Sequence, residues 1–139
     1  MGKQLNQTAT GGVAIIDDAS SSVGCIVMNL SWDVARGATN TAIVGSLPAN
    51  ARIISIFVQN TVVSNAATTA TVSVGLSGGT ATYFSAAQDV KTAIGNFSQA
   101  ATVGWVPSPN AQVITSTYTE TGTASTAGSA RVAVSYCVM

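Results

Sequence analysis

This chain has no histidine, and only 7% of its 139 residues are charged, five basic against five acidic. Without histidine, no Ser-His-Asp or Cys-His arrangement exists, so serine and cysteine nucleophiles lack their usual base and an enzyme is not expected. Cys25 and Cys137 also lack the imidazole partners of a zinc site, and the sequence calls for no metal and no cofactor. The basic residues Lys3, Arg36, Arg52, Lys91 and Arg131 are scattered, so no stripe forms for phosphate, and nucleic acid is not an expected partner. Membrane insertion is not expected either: Gly, Asn, Ser and Thr interrupt every apolar run well short of the ~20 residues a span requires. The opening residues, MGKQLNQ, lack the apolar core of a signal peptide, which points to synthesis in a cytoplasm.

Scarcity of charge has a second consequence. Designed soluble surfaces carry roughly 25–35% charged residues, whereas this chain combines few charges with a positive mean hydropathy. Ser and Thr can cover an exposed β face, but such a chain is expected to hide surface against partners and to work within an oligomer or larger assembly.

What is present is alternation. Residues 52–59 place Ile54, Ile56 and Val58 on one side and Ser55, Phe57 and Gln59 on the other, the period of a sheet strand. Residues 70–76 repeat it with Val72, Val74 and Leu76 against Thr71, Ser73 and Gly75. A polar tract around Ser64 and Asn65 joins the two as a loop, and Pro48 is expected in the second position of a turn over residues 47–50. Further strands are expected over residues 13–17, 23–30, 41–45, 81–85, 101–106, 111–120 and 130–138. Residues 31–37 read as turn-rich, and residues 86–95 leave a helical turn in competition with a strand. The sum is an all-β chain, an antiparallel β-sandwich of the jelly-roll type. Residues 1–12 have no apolar period and form an N-terminal arm; residues 13–139 form one sandwich domain.

Candidate chemistry is sparse. Asp33, Asp89 and Glu120 fall near expected turns or strand edges, where a solvated carboxylate is the ordinary outcome. Gly75–Gly79 is glycine-rich, but no Gly-Lys-Ser/Thr follows, so it is a turn and not a phosphate cradle. Cys25 and Cys137 form one disulfide if their strands are neighbours, while a cytoplasmic setting favours free, half-buried thiols. Trp32 and Trp105 are core anchors or interface residues.

The segments SLPANARIISIFVQN, TTATVSVGLSGGTATYFSAAQDVKTAIG and TYTETGTASTAGSARVAVSYCVM together resemble the jelly-roll capsid cementing, or decoration, proteins of tailed bacteriophages, a Bordetella phage's among them. The resemblance covers residues 40–139. It implies a virion protein on the outer surface of the capsid that binds the major capsid protein, acts as a dimer or trimer, and bridges neighbouring subunits against the pressure of packaged DNA. A head-fibre, tail or baseplate component would share the fold. The expected contact residues are Lys3 and Leu5 of the arm, Trp32 and Arg36 in the segment after the second strand, and Asn65 in the central loop.

Overall fold

The computed structural model describes residues 28–100 and 106–138, and within them every regular element is a β-strand. In chain order these are β1 (Met28–Val34), β2 (Thr39–Leu47), β3 (Ala51–Val62), β4 (Thr69–Leu76), β5 (Ser85–Asp89), β6 (Gly95–Ser98), β7 (Gln112–Thr121) and β8 (Ser129–Val138). They form two four-stranded sheets, ordered β1-β8-β3-β6 and β2-β7-β4-β5, and all pairings are antiparallel. The pairing is nested: β1 with β8, β2 with β7, β3 with β6, and β4 with β5. The chain is thus folded back on itself once, and the resulting long ribbon is wound into two layers.

The layers pack through alternate side chains. Ile56 and Val58 of β3, Val132 and Val134 of β8, Val72 and Val74 of β4, and Ile114 of β7 are fully buried between the sheets. β-branched residues dominate because they are stiff at χ1 and pack well on a pleated surface. Each fully buried Val or Ile contributes roughly 1.5–3 kcal/mol relative to exposure.

Several expectations are corrected. In β3 a bulge between Ile53 and Ser55 inserts Ile54 as an extra residue, so Ile53 takes the inward phase and Ile54 is 46% exposed, not in line with Ile56 and Val58. The turn before β3 lies one residue later than expected: the Ala51 amide donates to the Pro48 carbonyl, and Asn50 takes the left-handed conformation at φ 62°. Residues 31–34 belong to β1 instead of a turn. Residues 81–84 form a turn, and the strand begins at Ser85. The 86–95 stretch resolves into the end of β5, a turn, and the start of β6. The expected strand at 13–17, most of those at 23–30 and 101–106, the arm 1–12 and Trp105 lie outside the described residues.

The loop between β4 and β5 folds back over the outer face of its own sheet. At Gly75 the backbone of Thr80 and Ala81 occupies the space a side chain would need, with Ala81 C only 2.6 Å from the site of a Cβ. Glycine is required there for close backbone approach. Thr115, Thr117 and Ser73 on this outer face are buried.

Cys137 is buried on β8 and disulfide-bonded, which corrects the expectation of a free thiol. The chain's other cysteine, Cys25, lies outside the described residues.

Candidate functional site

Four connections meet at one end of the sandwich: residues 35–38, 63–68, 90–94 and 122–128. Antiparallel winding brings them together, since each leads from one layer or hairpin arm to the next at the same end. They are stitched by side chains. Arg36 donates through Nη1 to the Ser125 carbonyl at 2.8 Å. Asn65 Oδ1 accepts the amides of Thr126 at 2.8 Å and Ala127 at 2.9 Å, and its Nδ2 donates to Thr126 Oγ1 at 2.9 Å. Asn60, 1% exposed, donates to the carbonyls of Val90 and Ala93 at 3.0 and 2.6 Å. The Ser64 amide donates to the Val90 carbonyl, and the Glu120 amide to that of Ala38. Gly128, at φ 139°, lets the β7–β8 loop pass close to Ser64.

Beneath these loops sits a polar cluster. Glu120 is 7% exposed, so the expectation of a solvated carboxylate is corrected. Its Oε2 accepts the Tyr118 hydroxyl at 2.7 Å and the Ser125 hydroxyl at 2.6 Å, and its Oε1 accepts the Ser125 amide at 3.1 Å. Tyr118 Oη also lies 2.9 Å from Ser64 Oγ, which accepts the Ala66 amide. These donors, the Ser125 hydroxyl first and Tyr118 next, hold the Glu120 carboxyl below its ordinary range, with a smaller contribution from the Arg36 charge. Asn60 Oδ1 and Ser116 Oγ are buried without a partner.

Arg36 and Asn65, expected as contacts, are therefore at the same end of the molecule, but Arg36 Nη1 and both side-chain polar atoms of Asn65 are engaged within the fold. Trp32 lies in edge strand β1, not in a loop. It pairs with Val132 and shares the face of Leu30 and Val34, yet is 44% exposed because no strand of its own sheet flanks β1 on that side among the described residues. Lys3 and Leu5 lie outside the described residues. Sequence reasoning missed the exposed apolar side chains Ile94 and Val62 near the loop end and Ile43 on β2. Ile43 and Val62 belong to short apolar stretches that look like core in sequence, and only their place in β2 and β3 leaves them exposed, whereas Ile94 lies in the connection between β5 and β6.

On the outer face of the first sheet, Arg131 of β8 holds Asp33 of β1 through two parallel bonds, Nε to Oδ1 at 2.7 Å and Nη2 to Oδ2 at 3.1 Å. That guanidinium lowers the Asp33 carboxyl, and both groups are exposed. Asp89 makes no ion pair with Lys91. Its carboxylate accepts the Thr92 hydroxyl and, at 2.7 Å, the Lys91 amide, bonds that close the turn after β5 and lower its carboxyl. Among the described residues no three of His, Cys, Asp and Glu come together to hold a metal ion.

The fold has known counterparts. No family model and no curated protein matches the sequence. Among solved structures, a chain of the cyanophage Pam1 capsid asymmetric unit superimposes with a TM-score of 0.67 at 22% identity, covering 94% of this chain and 98% of that one. A chain of the acid-stable capsid of Helicobacter pylori bacteriophage KHP30 gives 0.65 at 15% identity, covering 84% and 90%. One from the capsid of Ralstonia phage GP4 gives 0.61 at 15% identity, covering 92% and 93%. The fold is thus shared over 84–94% of this chain and 90–98% of the matched chains.

Proposed function

We propose that this chain is a structural protein of a tailed-phage head, binding the outside of the assembled shell and bridging neighbouring major capsid subunits. The observation that carries the reading is the fold shared with chains of three phage capsids, each matched over nine-tenths or more of its own length. The nested pairing from β1–β8 to β4–β5 is read as the winding of a jelly roll, the fold of the cementing proteins that the sequence resembles.

The surface fits such a role. Trp32 and Met28 on β1, and Val62 and Ile94 near the loop end, expose apolar area on a chain with few charges. Contacts of this kind, repeated by symmetry with roughly 800 Å² per partner, persist through avidity when the protein attaches as a dimer or trimer. Lys3 and Leu5 of the N-terminal arm extend the contact region. No catalysis is involved. The chain is made in the host cytoplasm and serves on the virion, and a disulfide at Cys137 suits a protein whose working life is spent outside the reducing cell.

The test is to add purified protein to phage heads that lack it and image them by cryo-electron microscopy. Regular density over capsid subunit junctions, with greater resistance of the heads to heat, is expected. Density confined to a tail vertex would replace this reading with a fibre, tail or baseplate component, and absence from the particle would overturn both.

A further inference from the structure

We propose that Glu120 is an acid-sensitive clasp for the loop end of the sandwich: ionised, it pins the β7–β8 loop, and protonated, it releases it. The geometry gives the carboxylate three donors and no hydrogen of its own to place. Oε2 receives two hydroxyls, from Tyr118 and Ser125, and Oε1 receives the Ser125 amide. Protonation at either oxygen removes the charge that strengthens all three bonds. Tyr118 has an alternative, because its hydroxyl lies 2.9 Å from Ser64 Oγ and can donate there. Ser125 has only a longer contact, 3.4 Å to Tyr118 Oη. Ser125, which supplies two of the three donors through its hydroxyl and its amide, is therefore the residue whose hold weakens most.

Release of Ser125 is transmitted because the same residue carries a second tie: its carbonyl accepts Arg36 Nη1 from the β1–β2 connection. Adjacent Thr126 and Ala127 are held by Asn65 of the β3–β4 loop. One carboxylate thus sits under the point where three of the four loops are joined. The charged and titratable groups that face Glu120 are Arg36 from the β1–β2 connection and Tyr118 from β7 itself. Of these groups Glu120 is the carboxylic acid, the one that takes up a proton in acid. The lowered carboxyl places release in acid, below the ordinary carboxylate range, and the clasp is closed at neutral pH.

The experiment is NMR on the full chain, following the Glu120 side-chain carboxyl and the Ser125 amide together as pH is lowered, with hydrogen exchange corrected for the intrinsic pH dependence. Protection of the Ser125 amide should fall about tenfold to a hundredfold, the equivalent of one hydrogen bond to a charged group, with the midpoint of the Glu120 titration. In Glu120→Gln the amide should be poorly protected at every pH, with no midpoint. Protection that stays flat through the Glu120 titration overturns the proposal, as does a loss with the same midpoint in the variant. The wild-type titration decides the matter even where the variant does not fold.

Discussion

Gly75, the penultimate residue of β4, has the carbonyl of Thr80 lying over its α-carbon, where any other residue would carry a side chain. The obstructing atoms are backbone, which cannot rotate aside. Gly75→Ala is therefore expected to cost about 1–3 kcal/mol, as overpacking of a tight site does. Denaturant unfolding of the variant checks this, and an unchanged midpoint would mean that the loop does not lie on the sheet.

Ile54 and Ile56 are two residues apart in one strand and look equivalent in sequence. The bulge separates them: Ile56 is fully buried, while Ile54 is 46% exposed. Ile56→Ala should cost about 2–5 kcal/mol, whereas Ile54→Ala should fall within about 1 kcal/mol of wild type. Similar losses from both substitutions would disprove the bulge.

Asn50 closes the β2–β3 turn at φ 62°. Asparagine and glycine tolerate this conformation, and a β-branched residue does not. Asn50→Gly should leave stability nearly unchanged, and Asn50→Val should lower it by about 1–2 kcal/mol. Thermal unfolding of the two variants side by side distinguishes them.

Asp33 and Asp89 both have carboxyls lowered in the folded state, by the Arg131 guanidinium and by the Thr92 hydroxyl respectively. A lowered folded value means that the contribution is present above the ordinary carboxylate range and is lost as pH falls through the lowered value. Melting temperature should therefore decline on acidification below about pH 5, and less steeply in Asp89→Asn. The Asp33–Arg131 pair is exposed and screened by salt, so Asp33→Asn should scarcely move the melting temperature at physiological ionic strength. A large drop in that variant would show the pair to be shielded from solvent.

Cys137 is disulfide-bonded in a chain with one other cysteine. Reduction should destabilise the wild type by about 2–4 kcal/mol. Cys137→Ser should match the reduced wild type and show no further response to reductant.

Composition and alternation were enough to determine the class of this protein. Absence of histidine and scarcity of charge were read directly, and period-two patterns located β3, β4, β7 and β8, because a half-buried strand must alternate whatever its neighbours are. The edge elements were harder to read. β1 runs through residues 31–34, where Trp32 and Asp33 resemble a turn, because an edge strand is free to carry polar and bulky residues that a central strand would exclude. Tertiary structure alone decided the rest. Whether Ile54 or Ile53 faces inward depends on a bulge opposite Tyr136 and Ser135, a relation between strands about eighty residues apart. Glu120 becomes a buried acceptor, and Arg36 and Asn65 become braces, only because the nested winding carries four loops to one end. No local pattern encodes that meeting, since hydrogen-bond partners separated by 61 or 89 residues leave no periodic trace in the sequence between them.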